Sequence, residues 1–263
     1  MPPAGRVSGP GQEFRDGKLI DDSRLTVLLG TDYGQGMAHS KPSAQTESAS
    51  LNQRTRGLDA EQRSVRRRRK ILDAAMDLFA KHGFWSTSIE HICQSAYVGT
   101  KAFYEHFESK EACYRALLDQ VTAHTQQHVA ERAAAVAELP WSQRSPVVIA
   151  AFVHAIADDP RVAAVGFGQA GGISPAVERQ RRGYRRWAAA FLDAQWSGDP
   201  DPEPDRQRRR LALALGAIGG LFELVTDWLC HHDDGGCPDT LQSLIEDLDR
   251  YITAVDAGRA AVL

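Results

Sequence analysis

Cysteine is scarce. Four of them (Cys93, Cys113, Cys230 and Cys237) in 263 residues are too few to staple a small fold, so the chain reads as a protein of a reducing, cytoplasmic compartment. Long hydrophobic runs are missing as well. No 18 consecutive residues are apolar, which leaves no hydropathic membrane span and no membrane partner. The first residues lack the apolar core of a secretory leader, since "LTVLLG" is short and follows acidic side chains. No alternation of period two persists anywhere, which argues against a β-protein. Catalytic signatures are equally wanting. There is no Glu-x-x-His pair, nucleophile elbow or phosphate loop, so no enzyme is expected, and neither a catalytic residue nor a cofactor is assigned.

What is present is helical and unevenly charged. Residues 1–60 balance seven basic against seven acidic side chains. Residues 61–110 carry nine Lys/Arg against six Asp/Glu, and residues 111–263 carry fifteen against twenty-one. A basic segment ahead of an acidic body suggests one module that meets a polyanion and another that does not. Residues 1–60, rich in Gly, Ser, Gln and Pro without a sustained period, read as a disordered tail. From Gln62 onward the expectation is all-α. Ile71, Leu72, Ala75, Met76 and Phe79 form the apolar stripe of a helix ending at His82-Gly83. Thr87-Ser88-Ile89-Glu90 reads as a capping box that opens a short helix. Further helices are expected near 143–157, 161–170, 175–196, 206–229 and 239–256.

The segment from about 64 to 107 places a long helix before two short ones, at 88–96 and 100–107, joined by a three-residue break. That is the layout of a three-helix DNA-binding unit. Phe103 and Phe107, spaced i, i+4, would anchor the last helix on Phe79, Ile89 and Ile92. Thr100, Lys101 and Ala102 stand at its N-terminus, the part that reaches base edges. Tyr104 faces the sugar-phosphate strand, and His106 either joins it or caps the helix end. Lys110, on the first turn of the next helix, is a phosphate contact. The basic run Arg66-Arg67-Arg68-Arg69-Lys70 meets backbone or minor groove, with Arg66 and Arg69 as its chosen contacts.

The stretch "GFWSTSIEHICQSAYVGTKAFYEHFESKEACYRALL" resembles the N-terminal signature of TetR-type transcriptional regulators. Gly83, Thr87, Ser88, Ile92, Ala96, Val98, Tyr104, His106, Phe107, Lys110 and Glu111 match that pattern. Tyr97 and Gly99 depart from it, standing where the family carries a turn Gly and a capping Ser. The resemblance implies that Thr87 or Ser88 touches a phosphate. It also implies a DNA-binding domain over 61–108 and a larger helical domain over 109–263 that holds a small-molecule effector and forms a homodimer. Such a protein binds a palindromic double-stranded operator, as a repressor released by its effector. In that family the last two long helices pair across a two-fold axis. Leu215, Phe222, Leu244, Leu248 and Ile252 are therefore the expected interface, and Phe152, Phe167, Tyr184, Trp187 and Phe191 the expected effector pocket.

Two polar constellations stand apart. "CHHDDGGC" sets Cys230, His231, His232 and Cys237 in one loop. These are metal-ligand types at a spacing that matches no standard zinc motif, so a metal- or redox-sensing regulator stays open as an alternative, and a helical metal-dependent enzyme ranks behind it. His124 and His128, also i, i+4, are preferred as solvated or core-lining histidines. Arg181, Arg182, Arg185 and Arg186 read as a solvated face, which would imply an acidic ligand only if turned inward.

Overall fold

The computed structural model describes residues 44–167, 172–197, 201–233 and 240–262, with side chains described for 59–167, 172–197, 201–230 and 240–259. The chain divides into two compact units, 1–51 and 52–263. Among the described residues every element is an α-helix: α1 (Ala44–Ser86), α2 (Ile89–Ala96), α3 (Thr100–Tyr104), α4 (Lys110–Ala135), α5 (Trp141–Ala157), α6 (Pro160–Phe167), α7 (Pro175–Ser197), α8 (Pro204–Asp233) and α9 (Leu241–Val262).

The expected tail over 1–60 is corrected at its end. Residues 1–43 lie outside the described ones, but the backbone from Ala44 is already helical. Gln53, Arg54, Arg56, Ala60, Glu61 and Gln62 are strong helix formers without apolar period, so propensity carries α1 beyond the last residue a core requires. At its other end α1 breaks at Gly83, whose φ of 74° and ψ of 171° lie in a region that only glycine occupies readily.

The short helices are set by their ends. Ser88 caps α2 by accepting the His91 N–H at 3.1 Å. Tyr97 closes it in the left-handed conformation (φ 55°, ψ 44°), its N–H directed at the carbonyls of Cys93 and Gln94. A side chain with a Cβ pays roughly 1–2 kcal/mol for that backbone. The recognition candidate α3 is shorter than expected, because it tightens after Tyr104 and its closing N–H groups, from His106 and Phe107, both bond Phe103 O. Ser109 caps α4 through the Ala112 N–H at 3.0 Å. Three later helices open on proline (Pro160, Pro175, Pro204), where the missing N–H is one the helix leaves unsatisfied anyway.

Two principal cores follow. The first joins α1, α2, α3 and the start of α4, with Ile71, Phe79, Ile92, Phe103, Phe107 and Leu117 buried together. It extends to Val165 and Val177 on α6 and α7, and the Tyr114 hydroxyl donates to Val165 O at 2.9 Å. The second core holds α5, α7, α8 and α9, including Val153, Trp196, Val225, Leu248 and Ile252. An ion pair locks α7 to α8 within it. Arg210 grips Asp193 with its Nε (2.9 Å) and Nη2 (3.1 Å), both groups almost fully buried. Gly220 lets α9 come close, since a Cβ there would lie 2.2 Å from the Tyr251 hydroxyl and 2.7 Å from its ring.

By length and composition α8 would suffice to cross a membrane, its most apolar 18-residue window having a mean hydropathy of 1.5. One face of it, Ala214, Ala217, Ile218, Leu221 and Val225, is buried in the second core.

Candidate functional sites: a helix-turn-helix face and an internal cavity

The first core presents α3 outward at the end of the three-helix unit. Phe103 and Phe107 are buried, and Phe103 packs edge-on to Tyr104 at 5.6 Å. This leaves Thr100, Lys101 and Tyr104 exposed, Ala102 and His106 half-buried, and the Tyr97 ring 94% exposed at the turn before α3. The basic run on α1 splits by helical face. Arg67 turns toward Glu105 at 3.6 Å, and Arg68 stands over the Phe107 ring at 5.2 Å. Arg66 and Arg69 remain on the exposed side, the latter 3.9 Å from Asp73. Burial and the charges of Arg67 and Arg68 hold the His106 imidazole below its ordinary pKa, against a smaller opposing effect of Glu105.

Two residues expected to meet phosphate are hydrogen-bonded within the chain. Thr87 is 2% exposed, and its hydroxyl is directed at Gly83 O (2.8 Å) and Leu78 O (3.2 Å). The capping role falls one residue later, on Ser88. Lys110 also turns inward. Its Nζ donates to Thr87 O at 2.7 Å and Phe84 O at 2.8 Å and lies 4.3 Å from the Phe84 ring centroid. Loss of water pulls its pKa below the usual lysine value. Two carbonyls freed by the Gly83 break need donors, and Lys110 supplies them.

The second site is a cavity of about 140 Å³ between α4, α5, α6, α7, α8 and α9. Phe152, Phe167, Tyr184, Trp187 and Phe191 all line it. Around them Phe152, Phe167 and Phe222 form a ring cluster with centroids 5.0–6.4 Å apart, and Trp187 stacks on Phe191 at 5.4 Å. The arginine quartet of α7 is divided. Arg182 and Arg186 are exposed, whereas Arg181 and Arg185 line the cavity. The spacing i, i+4, shared with Tyr184 and Ala188, is a signal that could have separated that pair from the other two. Sequence reasoning also passed over Thr122, Thr125 and Gln126, which give the α4 side of the cavity its polar groups.

The residues of the expected dimer stripe fall in different environments. Leu244, Leu248 and Ile252 are buried in the second core of their own chain, and Phe222 lines the cavity. Leu215 is exposed with Leu211 one turn before it on the same side of α8, while Leu224 is exposed on the opposite side. The paired histidines His124 and His128 share a polar cleft with His154, Asp158 and Asp159. Among the described residues no three His, Cys, Asp or Glu are grouped to hold a metal. Cys230 is an exposed free thiol, while the side chains of His231, His232 and Cys237 lie outside the described residues.

Residues 71–117 match the family model described as bacterial regulatory proteins, tetR family. Over 53 residues the chain is 42% identical to the HTH-type transcriptional regulator UidR of Escherichia coli K12, which covers 20% of this chain and 27% of that protein. It is 39% identical over 61 residues to the A-factor receptor protein of Streptomyces griseus, covering 23% and 22%. The chain thus spans about a quarter of the length of these curated relatives. Among solved structures, FadR from Bacillus subtilis in complex with stearoyl-CoA superposes with a TM-score of 0.56 at 18% identity, over 71% of this chain and 97% of that one. A TetR-like transcriptional regulator from Rhodococcus sp. RHA1 does so with 0.56 at 17%, over 73% and 96%. The fold is TetR-like well beyond the matched segment.

Proposed function

We propose, on the premise that residues 71–117 are the N-terminal domain of a TetR-family regulator, that this protein is a ligand-responsive transcriptional repressor. It binds a palindromic DNA operator as a homodimer in the cytoplasm and performs no catalysis. Residues 61–108 meet DNA and residues 109–263 hold the effector and the partner protomer. Thr100, Lys101 and Ala102 face base edges, Tyr104 and Ser88 face the backbone strand, and Arg66 and Arg69 extend the basic side.

The observation that carries this reading is the continuity of α4. Its first turns bury Cys113, Tyr114 and Leu117 in the core of the DNA-binding unit, and its next turns, from Leu118 to Val129, line the cavity. One helix therefore touches both places, so a ligand that shifts α4 biases the position of α3. The ion pair of Arg161 with Asp77 on α1 (2.6 Å) and with its own neighbour Asp159 (2.6 Å) ties α6 to the same unit.

Dimerisation is assigned to the outer side of α8, where exposed Leu211 and Leu215 accompany Gly216 and Gly219, small residues that let a second helix approach. The test is selection of genomic fragments on the purified protein, followed by footprinting. A two-fold symmetric footprint with half-sites one helical turn apart, ~34–36 Å, is the expected outcome. Enrichment of no sequence over bulk DNA would defeat the reading.

A further inference from the structure

The cavity is apolar except where two arginines enter it. Arg181 and Arg185 lie one turn apart on α7 and both line the space. Among the described residues neither has a carboxylate within ion-pair distance. Arg181 makes one long hydrogen bond, from Nη2 to Gly166 O at 3.4 Å, and Arg185 stands 5.8 Å from the Phe222 ring centroid. The groups that face Arg181 are Arg185, Glu178 and Tyr114. Glu178 is already hydrogen-bonded by Arg182 at 3.1 Å, and the Tyr114 hydroxyl is held by Val165 O. The Tyr184 hydroxyl, also at the wall, is engaged with Asp119 and Gln180.

Two guanidinium groups beside aromatic rings, repelling each other with no carboxylate in ion-pair contact, are costly as they stand. The cost falls when a negative group enters with its own apolar body. Guanidinium is planar and matches a carboxylate through paired N–H donors. The space bounds the body. A cavity of about 150 Å³ lined by apolar side chains accepts a benzene ring, and this one is about 140 Å³.

We propose that the cavity binds a small organic monocarboxylate, with a single aromatic ring or a short alkyl chain among Phe152, Phe167 and Phe222 and its carboxylate on Arg181 and Arg185. This inference rests on the reading of the cavity as an effector site and names the effector's class.

Calorimetry on the full chain without DNA tests it, using 3-phenylpropionate and octanoate against 3-phenylpropanol and octanol. The acids are expected to bind about 10- to 100-fold more tightly than the alcohols, the span of a charge-assisted hydrogen-bond pair. Arg181→Gln and Arg185→Gln should each remove most of that preference, while Arg186→Gln, exposed on the same helix, should leave it intact. Thermal melting of each variant checks that the fold persists. Alcohols binding as tightly as acids, an unchanged preference in both cavity variants, or no binding of any probe at millimolar concentration would overturn the proposal. Because the readout needs no DNA, it fails separately from the regulator reading. A protein that selects an operator but ignores carboxylates loses only this inference, and one that binds carboxylates but selects no DNA loses only the other.

Discussion

Lys101 and Lys110 are nine residues apart and chemically identical, yet the structure assigns them opposite work. Lys110 spends its ammonium on Phe84 O and Thr87 O, whereas Lys101 is exposed at the head of α3. Lys110→Met should therefore lower the urea midpoint by an amount equivalent to ~1–3 kcal/mol, because two carbonyls lose their donor, while the salt slope of DNA binding stays near its original value. Lys101→Ala should leave stability unchanged and cost ~1–3 kcal/mol on the selected operator alone. A flattened salt slope for Lys110→Met would restore it as a phosphate contact. His106 supplies a pH dependence. Its folded pKa lies below the ordinary imidazole value of ~6.5, so the neutral form stabilises the fold. That contribution is complete above ~6.5 and is lost as pH falls through the lower folded value. Urea midpoints taken between neutral and mildly acidic pH should thus fall more steeply for the native chain than for His106→Gln, and parallel curves would refute the assignment. Residue types at this scale were legible and their directions were not. Thr87 and Lys110 match a motif, but the Gly83 break that pulls both inward is a backbone event that the motif does not describe.

Helices were the most legible level, because an apolar period survives whatever the helix packs against. The stripe of α9 was legible through Leu244, Leu248 and Ile252, whereas what covers it was not. Periodicity reveals that a face is covered, not whether its cover belongs to the same chain. On α8 the ambiguity is deeper, since small and large apolar residues surround the helix and no single stripe stands out. Arg181 and Arg185 were obscured for the opposite reason, four arginines in six residues reading as one solvated face although helical geometry sends half of them inside. The α7–α8 lock was not anticipated at all. Asp193 and Arg210 are 17 positions apart, and each alone looks like a surface charge. Asp193→Ala leaves the Arg210 guanidinium buried beside Asp201 at 3.7 Å, without its bidentate partner. The expected loss is ~3 kcal/mol in chemical unfolding; a change under ~1 kcal/mol would show that water reaches the pair.

At the scale of the whole molecule, two of the leucines chosen from the sequence as interface positions predict different failures. Leu215→Arg places a charge on the exposed side of α8 and should yield a folded monomer by sedimentation with normal helical circular dichroism. Leu248→Arg places it at a position with no solvent exposure and should lose the fold itself. A Leu215→Arg protein that sediments as a dimer would move the interface off α8. Function at this scale also has a mechanical side. α4 has 26 residues, about 39 Å at 1.5 Å per residue, and it runs from the DNA-binding core past the cavity without a proline or glycine. Thr125, at the cavity, stands about 22 Å along the axis from Lys110. A tilt of roughly 5° about that point carries the near end of the helix some 2 Å sideways, and in the proposed homodimer the two-fold axis would double the change in spacing between reading heads to about 4 Å. Against a groove repeat of ~34 Å that is enough to spoil the fit on one side whenever the other is seated. The stiffness of a single uninterrupted helix thus works as gearing, turning a displacement smaller than a methyl group at the cavity wall into a misfit that DNA can detect.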